Sequence, residues 1–261
     1  MKLTLIRKDK KQQTHVTQKP MESLMERITA DTKAEDVQQL RRFLASTADK
    51  AFLNIHTEKL HRIYPSAVLE KDGNGNLVMR RMNGIVMLSV RNVLGQEAQQ
   101  RVKLLVGNMP TTLAAFTGSS GRSVKVLVSV ERADGIMPTT EEEADRFLQS
   151  AFDFVTPVYQ ALFGYEIDRR PATTRTSFLM TLDAQPLYHP AATAFRIAAL
   201  PQPAAALPGK PDAKVQLQHD YDLYMEYEQL YKEAALQAAE LAGDDPDEIL
   251  GARAIILQSV I

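Results

Sequence analysis

Residues 117–126 read TGSSGRSVKV. The apolar run Leu113-Ala114-Ala115-Phe116 precedes them, and Val126-Leu127-Val128-Ser129-Val130 follows. Two strands joined at a polar corner are expected. A hairpin turn needs only about two to five residues, one of them often Gly. This corner carries Gly118, Ser119, Ser120, Gly121, Arg122, Ser123 and Lys125. Successive backbone N–H groups in a glycine-rich turn can cradle an anion, and Arg122 and Lys125 add charge. A solvated hairpin turn is the other reading.

The neighbouring segments set the fold class. Gly84-Ile85-Val86-Met87-Leu88-Ser89-Val90 is a continuous apolar run, the pattern of a buried central strand. Asp72-Gly73-Asn74-Gly75 between Ala67-Val68-Leu69 and Leu77-Val78-Met79 marks a hairpin. Lys2 to Ile6 alternates as a first strand, and Arg175 to Leu182 is a further strand candidate. Helical spacing occurs at 22–28, at 35–44 and at 96–106. Thr139-Thr140 followed by Glu141, Glu142 and Glu143 supplies a hydroxyl cap and first-turn acids for a helix reaching toward Leu162. Strands and helices mix without regular alternation, so the expected class is α+β with a mixed or antiparallel sheet core and flanking helices.

Four prolines between Ala199 and Lys214 (Pro201, Pro203, Pro208, Pro211) cannot continue a helix or central strand. This divides the chain into a domain over 1–198, a Pro/Ala-rich linker over 199–214 and a C-terminal helical segment over 215–261. The last segment carries the stripe Tyr221, Tyr224, Tyr227 and Tyr231 and ends in an apolar run, Ile255 to Ile261. The stripe either packs on its own protein or stacks bases.

The chain has 261 residues, no cysteine and a formal charge of −1. Thiolate metal sites and disulfides are excluded, and a cytoplasmic protein is expected. MKLTLIRKDKKQQ holds too short an apolar patch for a signal core or a bilayer span, so no membrane association is expected. Any nucleic acid must be held by a local basic patch, since there is no global basic field. The histidines His15, His56, His61, His189 and His219 show no metal-ligand spacing, and no phosphate loop or zinc helix motif occurs.

The order of an apolar strand, a Ser-Gly-Arg-x-x-Lys turn and a strand recurs in one known family. Arg175-Thr176-Ser177-Phe178-Leu179-Met180-Thr181-Leu182-Asp183 and Leu187-Tyr188-His189-Pro190-Ala191-Ala192 continue the likeness. On these residues the chain resembles the VirE N-terminal domain family, a branch of the archaeo-eukaryotic primase-polymerase superfamily, over Met1 to Ile197. The resemblance implies a primase-polymerase-like core in a replication protein of a mobile element, with a helicase or ATPase partner. In that superfamily an Asp-x-Asp pair and a third acid hold two divalent metals. Here the pair's positions hold Ser89 and Arg91, and Asp183 stands alone as a catalytic remnant.

The implied function is therefore weak binding of a nucleoside triphosphate or nucleic acid phosphate, with polymerase chemistry lost and no cofactor. The phosphate-binding residues expected are Ser120, Gly121, Arg122, Ser123, Lys125, Arg91 and Arg175. No metal is expected unless a second acid (Asp153, Glu166 or Asp168) stands beside Asp183 and rebuilds an Mg²⁺ site, giving an active metal-dependent enzyme. A third reading is a structural module that docks a helicase or ATPase partner. The strand end at Ser89–Arg91, the corner and Asp183 are expected to share one cleft.

Overall fold

A computed structural model describes residues 1–8, 13–30, 34–46 and 57–197. They lie within one compact unit, Met1–Ala199. The expected linker, the tyrosine stripe and the C-terminal helices lie outside the described residues.

The described residues contain four helices and several sheets, almost all of them antiparallel, so the class is α+β. The central sheet is built around the opening stretch. Strand β6 (Ile85–Val90) and strand β7 (Thr112–Thr117) flank β8 (Val124–Arg132), both antiparallel to it. The short β10 (Leu187–Tyr188) pairs with β7, and β11 (Phe195–Ile197) runs parallel to the end of β8. A second sheet has the order β2-β1-β3-β9, from β1 (Lys2–Lys8), β2 (Thr14–Pro20), β3 (Arg62–Tyr64) and β9 (Phe178–Leu179). The expected hairpin forms as β4 (Ala67–Lys71) and β5 (Leu77–Met82). Asp72 closes its turn by accepting from the N–H groups of Asn74 and Asn76.

The central strands are covered on both faces, which is why they read as continuous apolar runs. One face carries Ile85, Met87, Ala114, Phe116 and Leu127. It packs with Leu3, Leu5 and Ile63 of the second sheet and with Leu24 and Ile28 of α1 (Met21–Ala30). The other face carries Val86, Leu88, Val126 and Val128, all fully buried. On the helical side, α3 (Gln96–Gly107) packs on β7 and α4 (Glu141–Gln160) on β6. Helix α2 (Ala34–Ser46) buries Val37 and Leu40 against Leu60. The Thr140 hydroxyl accepts from the Glu143 N–H and caps α4 as its sequence predicts.

Two local devices fix the geometry. Gly84 has φ +64°, and a Cβ there would meet the Val130 carbonyl oxygen at 2.5 Å, so only glycine lets β6 begin this close to β8. The Tyr159 hydroxyl lies 2.9 Å from Thr111 Oγ1 and 2.8 Å from Thr112 Oγ1. Thr112 gives its only hydroxyl proton to the Val106 carbonyl, at 2.6 Å, so Tyr159 must donate to Thr112 and accept from Thr111. Burial first, against these two hydrogen bonds, pushes the Tyr159 phenol up to about 12. Tyr159→Phe is expected to cost about 1–2 kcal/mol, because two buried hydroxyls lose a partner without any loss of packing. Urea unfolding midpoints of the two proteins check this.

Candidate functional site

Strand β6 ends beside the start of β8, and the register sets Ser89 opposite Lys125. Lys125 in turn lies opposite Phe116 of β7, so its side chain leaves the apolar face at the sheet's end. Its ammonium donates to Ser89 Oγ at 2.5 Å. The segment after α4 then pairs along the free edge of β6. The Arg91 N–H bonds the Glu166 carbonyl, a bridge joins Val90 to Ile167, and the Asp168 N–H bonds the Ser89 carbonyl. This pairing delivers Asp168 and Arg170 to the strand end. Asp168 Oδ2 accepts from Arg170 at 2.7 Å and lies 3.8 Å from Arg91 Nε.

The local charge is therefore three cations, Arg91, Lys125 and Arg170, around one carboxylate, Asp168. Lys125 shows the consequence. Burial chiefly, then the Arg170 charge, outweighs the pull of Asp168, and Arg91 adds to the repulsion. Its ammonium is pushed down to about 8. Its hydrogen bond within the described residues goes to a neutral hydroxyl, which leaves two N–H donors directed at no carboxylate. Such a group is deficient in negative charge.

The corner after β7 is arranged differently from an open nest. The Gly118 N–H bonds the Ser123 carbonyl, the Gly121 N–H bonds the Gly118 carbonyl, and the Arg122 N–H bonds Ser120 Oγ. Its carbonyls point into the protein. Gly118 and Ser119 accept from the Arg41 guanidinium, Gly121 from Gln99 Nε2 and Arg122 from the Val93 N–H. Arg122 itself donates to the Leu44 carbonyl. Ser120, Gly121 and Arg122 thus form a closed turn clamped by α2 and α3. Ser123 is the corner's link to the strand end: its hydroxyl and the Lys125 stem both lie over Gly118, in space a side chain there would fill.

Asp183 and Arg175 stand apart from this cluster. Asp183 accepts from Lys103 of α3 at 3.0 and 2.8 Å, from the Thr117 N–H at 2.7 Å and from the Gln185 N–H at 3.0 Å. It sits at the β7 edge of the central sheet, whereas Ser89 and Arg91 lie on the β6 side, with β8 between. The expected common cleft does not form. Both carboxylate oxygens are taken by an ammonium and amides, a structural ion pair in geometry. The candidate second acids lie elsewhere: Asp168 beside Ser89, Asp153 on α4 hydrogen-bonded to Gln149, and Glu166 exposed. Among the described residues, no group of three or more His, Cys, Asp or Glu could hold a metal. Arg175 is held by Glu141 at 2.6 Å and by the Leu77 carbonyl, tying β5 to the start of α4.

Arg170 and Arg41 were not singled out by the sequence. Arg170 sits in the basic pair Arg169-Arg170 after Asp168, a visible signal whose place depends on the bridge to β6. Arg41 reaches the corner from 77 positions away, which no local pattern reveals.

The comparison with protein families decides the lineage. The model of the BT4734-like N-terminal domain matches residues 56–188, slightly more than half of the chain. The chain belongs to the BT4734-like N-terminal domain family. The resemblance to the VirE N-terminal domain is thereby corrected, and nothing found bears on primase-polymerase kinship. The physical reason lies in the features that carried it. A polar hairpin and an Asp-containing turn arise wherever strands reverse, and in this BT4734-like domain Asp183 serves packing. The mobile-element setting rested on that likeness alone, and nothing found bears on it. No curated protein and no solved structure matches.

Proposed function

We propose that the BT4734-like domain binds the phosphate of a nucleotide or nucleic acid at the end of β6 and β8. Lys125 carries this reading. It is a largely buried ammonium donating to a neutral hydroxyl, with Arg91 and Arg170 close enough to depress its proton affinity. Burying positive charge without a matching carboxylate is costly, and a bound anion removes that cost. A phosphate suits the arrangement better than a carboxylate. It brings up to two charges and three acceptor oxygens, which the Ser89 hydroxyl, the Lys125 ammonium and the two guanidinium groups can share. Asp168 orients both arginines and moderates the repulsion among the three cations. A cytoplasmic place belongs to the same proposal, supported by the absence of cysteine and by the pool of nucleotides there. Among the described residues no helix is long and apolar enough to cross a membrane.

The pH dependence tests this. Binding needs the protonated amine, so affinity holds below pH 8 and falls as pH rises beyond it, approaching about tenfold per unit. Pyrophosphate, which only gains negative charge across that range, is a suitable probe for calorimetric titration at pH 7.5 and 9.5, because a fall in its affinity then reports charge lost by the protein. Arg91→Ala is expected to weaken the same binding about tenfold at neutral pH. A flat profile together with wild-type affinity in Arg91→Ala would remove the site.

A further inference from the structure

A second basic feature lies away from Lys125, between the start of β1 and the β4–β5 hairpin. An open groove of about 660 Å³ is bordered by Met1, Lys2, Gln18, Glu70, Arg80 and Arg81, with Val68 in its wall. That volume is within the range of ligand clefts, roughly 300–1,000 Å³.

The groove is shaped by an irregularity of register. Val68 pairs with Arg81 and Leu69 with Met79, so Arg80 is an extra residue in β5. In a regular strand two successive side chains point to opposite faces. A bulge sets two residues against one and re-aims a side chain, and here both arginines border the same groove. Lys2 joins them from β1, the strand whose Thr4 hydroxyl accepts from the Leu69 N–H.

These cations are free. Among the described residues the side chains of Lys2, Arg80 and Arg81 make no hydrogen bond or ion pair, unlike Arg175, Arg170 and Arg41. The groove's one carboxylate, Glu70, accepts from Gln18 Nε2 at 3.1 Å. The lining side chains therefore carry a net charge of +2, with three unused cationic heads. Unpaired arginines aligned on one face, in a chain with no overall positive charge, mark a local electrostatic footprint.

We infer that this groove binds single-stranded nucleic acid through its phosphodiester backbone. A single strand can enter a cleft of this size, whereas a duplex can only lie across its rim. Met1 is 46% exposed and offers apolar surface to a base, but no aromatic side chain borders the groove. Stacking, the usual source of affinity for single strands, is therefore small, and the binding is dominated by charge and indifferent to sequence. The inference does not depend on the Lys125 site.

Fluorescence anisotropy of the full chain with a labelled oligo-dT of about 12 nucleotides tests it, across a salt series. The double change Arg80→Ala, Arg81→Ala is expected to weaken binding at least tenfold. It should also reduce the slope of log affinity against log salt by about 1.4, at about 0.7 per lost contact to a single strand. Arg80→Lys, Arg81→Lys should keep most of the affinity, because charge is retained. Pyrophosphate binding should be unchanged in both variants, so failure here and failure of the Lys125 reading are separable. Both arginines are exposed and unpartnered, so circular dichroism and melting should match the wild type. Unchanged oligonucleotide affinity in the alanine variant would overturn the inference. So would equal losses in the lysine and alanine variants, or a duplex bound as tightly as the single strand.

Discussion

Asp183→Ala is expected to destabilise the domain by about 3–5 kcal/mol, the usual effect of removing one partner of a buried ion pair. The Lys103 and Asp183 side chains are only 4% and 6% exposed. The change would strand the Lys103 ammonium in the interior with the Gln185 carbonyl as its remaining acceptor. It would also leave the Thr117 N–H without its acceptor, at the point where β7 enters the corner. Acid should act on the wild type in the same direction. Burial pushes the Asp183 carboxyl up, but the Lys103 hydrogen bond and those from Thr117 and Gln185 outweigh it and hold it below its ordinary value. A folded pKa depressed below the unfolded value of about 3.9 gives stability that is complete above that value. It is lost as pH falls through the folded value. Denaturant midpoints at neutral and acid pH should therefore converge between wild type and variant as pH falls. Equal midpoints at pH 7 would show that Asp183 is free for another role.

How much of this was legible depended on where each signal was stored. The β7–β8 hairpin, β6 and α3 announce themselves because their burial pattern is written in consecutive residues. Strand β9, Phe178–Leu179, is the short part of the expected 175–182 strand that pairs. Strands β10 and β11 span two or three residues each and exist only because a longer neighbour offers an open edge. Their pairing partners, Ala114–Ala115 and Val130–Arg132, are distant in sequence, and nothing local specifies them. β2 was missed for a related reason. It is an edge strand with one face half exposed, and THVTQKP is too polar to read as a strand.

The site follows the same rule. Lys125 was named from the polar corner, and Ser89 and Arg91 only through the resemblance that the family match corrects; their meeting at one place comes from the β6–β8 register. The pairing of Asp183 with Lys103 could not be named, since 80 positions separate them and any acid near a turn looks the same in sequence. The corner shows the limit most clearly. Its glycines, serines and cations are compatible with an anion nest. The facing of its peptide groups, however, is decided by Arg41 and Gln99, which bond the carbonyls of Gly118, Ser119 and Gly121 from two different helices. Composition fixes what a turn can bind, and tertiary contacts fix which way its N–H groups face.

Lys125→Met should act in two opposed directions, raising stability while removing phosphate binding. Methionine matches the stem in length and volume without its charge. Burial chiefly, then the Arg170 and Arg91 charges, pushes the wild-type ammonium well below the ordinary lysine value, to about 8. At roughly 1.4 kcal/mol per pKa unit this is a penalty on the order of 3 kcal/mol, reduced by about 1 kcal/mol for the lost Ser89 hydrogen bond. A net gain of about 1–2 kcal/mol is expected at pH 7. The sign with pH follows from linkage. Between about pH 8 and the ordinary lysine value the unfolded chain holds a proton that the folded chain has released, so wild-type stability rises with pH across that window. The advantage of the methionine variant should be full below pH 8 and fade toward pH 10.5. Binding of pyrophosphate should fall at least thirtyfold, since the central charge is gone. Stability sacrificed at one position in exchange for a ligand is the behaviour of a binding site. A methionine variant less stable than the wild type at pH 7 would instead make Lys125 a structural donor to Ser89, and the anion reading would lose its main support.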